Sequence, residues 1–137
     1  MSTRVLDSWA IMAYFEDEPA AEEVEKMLLQ AEVGRHTLFL SAVNWGEIYY
    51  SVMRSNSKAI ADEKALEIAG MAITIVGVTE DLELVRQAAI YKATYKMSYA
   101  DCFAAGLAKL RHAELVTGDL EFKSVEKDLK RIIWLKP

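Results

Sequence analysis

Four carboxylates in this 137-residue chain, Asp7, Glu47, Asp101 and Asp119, fall where a sheet edge could gather them. Asp7 closes the short apolar run Val5-Leu6, and Asp119 follows Leu115-Val116-Thr117-Gly118. Glu47 and Asp101 sit in the first or second turn of segments with helical periodicity. Ligands of an open parallel sheet bind at the carboxyl ends of its strands, and helix first turns reach the same edge. Carboxylates collected there repel one another: two charges about 4 Å apart cost on the order of 4 kcal/mol at an effective dielectric of about 20. Protonation or a bound cation relieves that repulsion. All-oxygen ligation suits Mg²⁺ or Mn²⁺ rather than zinc or copper.

Each acid also has a purely local explanation. Asp7 is placed to N-cap a helix starting at Ser8. Asp101 completes a capping box, Ser98-x-x-Asp101. Asp119 is a turn residue after Gly118, or a partner for Lys123. Glu47 has Asn44 behind it and Tyr50 and Ser51 ahead, and so lacks a helical ion-pair partner. Taken singly, the local readings are as good as the chemical one, and only the set of four favours chemistry.

The elements that must position these residues can be read from the period of the apolar pattern. A first strand ends at Val5-Leu6-Asp7, and a short helix covers Ser8 to Phe15. Pro19 opens a longer helix through about Val33, with Val24, Met27, Leu28 and Ala31 at helical spacing. Thr37 to Leu40 is a short strand, and Ser41 caps a helix through Trp45, Ile48, Tyr49 and Val52. A further helix spans Lys58 to Gly70, and Ala72 to Val78 is a β-branched strand. Thr79 is expected to cap a helix from Glu80 to about Tyr95, and Ser98 another from Tyr99 to about Arg111. Glu114 to Thr117 and Ile132 to Leu135 complete the strands. Apolar strands alternating with helices predict a three-layer α/β/α arrangement around a parallel sheet of about five strands. The length suits a single domain over residues 1–137.

Composition excludes several classes. Lys and Arg total 16 against 21 for Asp and Glu, a net charge of -5, so this is no protein coated with basic surface. The lone Cys102 cannot form an internal disulfide, and no Cys/His cluster points to zinc. Cys102 is expected to be a buried small residue. His36 and His112 sit in no motif that would serve a metal-free nuclease needing paired acid and base groups. No signal-peptide pattern or membrane-length apolar run is present, and a cytoplasmic location is expected.

The ordered set Val5-Leu6-Asp7-Ser8, Asn44-x-x-Glu47, Met97-Ser98-Tyr99-Ala100-Asp101 and Leu115-Val116-Thr117-Gly118-Asp119 resembles the PIN domain. More closely, it resembles the VapC-like toxins of bacterial and archaeal toxin–antitoxin operons, over essentially the whole chain. The resemblance implies a parallel sheet between helical layers, divalent-metal-dependent cleavage of single-stranded or looped RNA, and inhibition by a small antitoxin. It places Asp7, Glu47, Asp101 and Asp119 on the family's acidic positions. Thr117 and Ser8 fall on supporting positions. Asp7, Asp101 and Asp119 are then expected to hold Mg²⁺ or Mn²⁺, with Glu47 at a second metal or orienting the water. Cys102 departs from the alanine common in the family.

An RNA substrate calls for cations near the site, and Arg54, Lys58, Lys92 and Lys96 are candidates, with Tyr50, Tyr95 and Tyr99 for base stacking. Solvated helix faces and core packing explain the same residues. The apolar surplus of Trp9, Met12, Tyr14, Phe15, Trp45 and Tyr49 suits a homodimer contact or an antitoxin groove. Three rivals remain. A phospho-acceptor receiver domain would want its acceptor Asp at the end of the third strand, where this chain has Val76-Gly77-Val78-Thr79. A catalytically idle PIN-like scaffold and an RNA-processing nuclease outside any toxin–antitoxin pair are the others.

Overall fold

The computed structural model describes residues 2–137. Five strands form one all-parallel sheet: β1 (Ser2–Leu6), β2 (His36–Ser41), β3 (Ile73–Val76), β4 (Glu114–Thr117) and β5 (Ile132–Trp134). Their spatial order is β3-β2-β1-β4-β5. The chain runs outward from β1 through β2 to β3, then returns to lay β4 on the other side of β1. The strand order therefore reverses between β1 and β4, which is where an open parallel sheet leaves a crevice at its carboxyl edge. Asp7 and Asp119 follow those two strands.

Successive strand residues feed opposite faces. Val5 and Leu115 pack into one core with Tyr91, Phe103, Leu107 and Phe122, whereas Leu6 and Val116 pack into a second with Ile11, Val24, Ile48 and Leu135. The first core is roofed by α5 (Glu83–Thr94), α6 (Tyr99–Arg111) and a 3₁₀ segment over Leu120–Asp128. The second lies under α1 (Ser8–Phe15), α2 (Ala21–Glu32), α3 (Ala42–Ser55) and α4 (Lys58–Ala69). The sheet is thus covered on both faces, as apolar strands without a period of two require. Cys102 is fully buried in the first core. At the amino edge of the sheet, away from the acids, the buried Glu114 takes Arg4 at 3.2 Å and Arg131 at 3.1 Å.

Two local expectations change. The helix expected from Glu80 begins at Glu83, because Thr79 does not cap it. Thr79 donates its hydroxyl to Asp81 at 2.6 Å, Asp81 accepts the Glu83 amide at 3.1 Å, and Leu82 takes a left-handed turn with φ 59°. The segment after Asp119, unassigned from sequence, winds as the 3₁₀ segment, with Phe122, Val125 and Leu129 turned into the core.

Candidate active site

Asp7 is extended after β1, and its carboxylate caps α1 by accepting the Ala10 amide at 2.9 Å. Its other oxygen accepts the Thr117 hydroxyl at 2.5 Å. The Thr117 hydroxyl oxygen in turn accepts the Asp119 amide at 3.0 Å. One side chain at the end of β4 therefore ties both strand-end acids together. The capping reading of Asp7 holds. A capped carboxylate at a helix start is held rigidly, and here it is only 1% exposed.

Asp119 caps the 3₁₀ segment, accepting the Glu121 amide at 2.9 Å. That tight turn brings the Glu121 side chain back over the strand end. Ser98 caps α6 by accepting the Asp101 amide at 3.1 Å, which puts Asp101 in the helix's first turn and facing β4. Carboxylate oxygens of Asp101, Asp119 and Glu121 all lie within 4.8 Å of one another. Glu47, on α3, accepts the Ser8 hydroxyl at 2.5 Å. Ser8, Trp9, Glu47, Asp101, Asp119 and Glu121 line one open pocket of about 380 Å³.

Of the four expected acids, three line this pocket and the fourth does not. Asp101, Asp119 and Glu47 reach the pocket, while Asp7 lies buried beneath it and outside the close trio. Glu121 was not anticipated. Its only sequence signal is its position two residues after Asp119, which says nothing until the turn between them is known. Two residues present in the motifs, Asn44 and Gly118, also shape the site in ways their spacing does not reveal. Asn44, one helical turn before Glu47, is fully buried and donates Nδ2 to the Ala100 carbonyl at 3.1 Å, bracing α3 against the start of α6. Gly118 leaves room for Trp9: a Cβ there would fall 2.2 Å from the indole ring that walls the pocket.

Burial dominates the electrostatics. It raises the Asp7 carboxyl from 3.8 to about 8 against the pull of its Thr117 and Ala10 hydrogen bonds, with the charges of Asp101 and Asp119 adding to the rise. Asp101 rises to about 7, first through burial and then through the neighbouring Asp119 charge. Crowded, partly protonated carboxylates with oxygen donors alone fit a hard divalent cation, which would offset their repulsion and displace their protons.

Comparison with known proteins agrees with this arrangement. The family model described as PIN domain matches residues 4–128. No curated protein matches the chain in sequence. Among solved structures, VapBC2 from Rickettsia felis, bound to a fragment of promoter DNA, superposes with a TM-score of 0.73 at 19% identity, covering 98% of this chain and 99% of that one. DNA-bound VapBC from Salmonella typhimurium gives 0.74 at 16% identity over 97% and 98% of the two chains. The sarcin-ricin-loop-cleaving toxin VapC20 of Mycobacterium tuberculosis gives 0.67 at 16% identity over 90% and 95%. With the family model spanning nearly its full length and its acids gathered at the switch point of a five-stranded parallel sheet, this chain belongs to the PIN domain family.

Proposed function

We propose that this protein is a Mg²⁺- or Mn²⁺-dependent endoribonuclease that cuts single-stranded or looped RNA and serves as the toxin of a toxin–antitoxin pair. The observation that carries the reading is the trio of Asp101, Asp119 and Glu121, with oxygens within 4.8 Å of one another in an open pocket at the sheet's carboxyl edge.

Asp101, Asp119 and Glu121 are the residues to hold the cation. Asp7 acts from beneath, as a fixed charge or through a water, because both of its oxygens already accept hydrogen bonds. A divalent cation bound there lowers the pKa of a water and offsets charge on the scissile phosphate. Glu47 faces the trio, and its second oxygen is free to orient a water or accept its proton while Ser8 holds the first. Attack of water oxygen on phosphorus opposite the 3′-oxygen breaks the P–O3′ bond. The products are a 5′-phosphate and a 3′-hydroxyl that has gained a proton. Thr117 and Ser8 are positioning residues, each fixing one acid.

The toxin part of the reading is supported by fold likeness to chains from VapBC complexes of Rickettsia felis and Salmonella typhimurium. It entails a small antitoxin partner, a homodimer, inhibition of translation or growth, and action in the cytoplasm. No helix among the described residues is long and apolar enough to cross a membrane.

The deciding experiment is cleavage of a structured RNA pool with Mg²⁺ or Mn²⁺ and with EDTA, beside Asp7→Asn and Asp101→Asn. Cleavage should need metal, vanish in both variants while they stay folded, and leave 5′-phosphate ends. Cleavage that persists in EDTA or in the variants removes the carboxylate site from consideration. Absence of both cleavage and any metal-induced stabilisation of the wild type leaves the idle scaffold. Where a neighbouring gene encodes a small antitoxin, its co-expression should relieve the growth arrest that this protein causes.

A further inference from the structure

Against the acidic pocket lies a second open cleft, about 680 Å³, formed by the end of α5 and the turn into α6. The two clefts share Ser98 and Glu121 and so make one continuous surface. Their charges are opposite. No lysine or arginine lines the acidic pocket, whereas Lys92 and Lys96 line its neighbour together with the half-buried ring of Tyr95.

The two lysines differ in what they touch. Lys92 donates to the Met97 carbonyl at 2.8 Å and so closes the turn that joins α5 to α6. Lys96, at the tip of that turn, is exposed and makes no side-chain hydrogen bond or ion pair among the described residues. The other cations considered for substrate contact are placed elsewhere. Lys58 pairs with Asp62 at 2.9 Å, and Arg54 lies over the Tyr50 ring at 4.9 Å. Neither lines either cleft.

A polyanion that delivers one phosphate to a carboxylate pocket on a protein of net charge -5 needs a cation for the phosphate beside it. We propose that the RNA strand leaves the acidic pocket across the α5–α6 turn, with Lys96 Nζ holding the phosphate next to the scissile one and the flanking nucleotide lying against Tyr95. This inference rests on the nuclease reading, since it assigns the path of the same strand. Lys92 is a brace for the turn and Lys96 the phosphate contact. The exposed, unpaired side chain of Lys96 has nothing to lose structurally on truncation, so its effects belong to substrate.

The test uses a short fluorescent single-stranded oligouridine as binding probe, with a salt series, and steady-state cleavage of an RNA that the wild type cuts. Lys96→Ala should weaken binding about tenfold, place the cleavage defect on KM rather than kcat, and leave the melting temperature unchanged. The slope of log K against log salt should fall by about 0.7, the value for one phosphate on a single strand. Lys96→Arg should restore binding, and Lys58→Ala should behave as wild type. Unchanged binding and salt slope in Lys96→Ala overturn the path, as does a defect confined to kcat. Failure of the nuclease reading looks different: a wild type that cuts nothing, yet binds the probe in a Lys96-dependent way, keeps the phosphate contact and discards the catalysis. A wild type that does not bind the probe even at low salt overturns the path itself.

Discussion

Asp7 is the residue on which the acidic centre turns, because its carboxyl is buried without a counter-charge. Its carboxyl is raised from 3.8 to about 8, mainly by burial. The folded, metal-free chain therefore binds a proton that the unfolded chain has already lost at neutral pH. The stability this contributes is present in full below about pH 4 and is lost as pH rises toward about 8. At about 1.4 kcal/mol per unit, ionising Asp7 in the metal-free fold costs several kcal/mol. Asp7→Asn should abolish cleavage and, in EDTA, make the protein more stable than wild type at alkaline pH. The amide can still accept from Ala10, but an NH2 facing Thr117 can only donate, so the buried Thr117 hydroxyl loses its acceptor and offsets part of the gain. Urea unfolding across pH in EDTA checks this. A variant with the same pH slope as wild type would mean that Asp7 is not the titrating group.

At the scale of elements, what could be read in advance followed from how local the cause was. β1, β2 and β4 were legible because short apolar runs such as Thr37-Leu38-Phe39-Leu40 are too short for a helix and suit a strand buried on both faces. The caps Asp7, Ser41 and Ser98 were legible because a cap involves only neighbours in sequence. The start of α5 was not, since Asp81 outcompetes Thr79 for the first free amides through a left-handed Leu82. Glu121 was invisible for a related reason: its membership depends on a 3₁₀ turn that Asp119 caps. Asn44 belongs to the same scale, because it joins two elements far apart in sequence. Its Nδ2 holds the Ala100 carbonyl and so sets α3, with Glu47, against α6, with Asp101. Asn44→Ala removes that interhelical hydrogen bond while the Ala100 carbonyl keeps its place in the α6 ladder, at a cost of about 0.5–1.5 kcal/mol. The urea midpoint should fall accordingly, and kcat should fall further than the lost stability explains, because Glu47 and Asp101 no longer share one geometry. An unchanged kcat in the folded variant would reduce Asn44 to packing.

For the whole molecule, the acidic centre couples folding to pH and to metal. Asp7 and Asp101 both titrate far above the ordinary carboxylate range, at about 8 and about 7. Both shifts have the same sign, so the metal-free protein should lose stability steadily between about pH 4 and about pH 8, where the folded state holds protons that the unfolded chain lacks. A cation in the trio reverses the balance by favouring the ionised carboxylates and expelling those protons. Two consequences follow from one cycle. Saturating Mn²⁺ or Mg²⁺ should flatten the pH dependence of stability, and the apparent metal affinity should rise with pH until Asp101 and then Asp7 are ionised without help. Thermal unfolding at about pH 5.5 and about pH 8.5, with and without metal, therefore should show a small metal-induced rise in melting temperature at the lower pH and a larger one at the higher. Asp101→Asn removes a ligand and one of the two titrations together, so it should show little metal-induced rise at either pH. An equal rise at both pH values in the wild type would mean that the cation binds away from the buried carboxylates, and the trio would lose its place as the metal site.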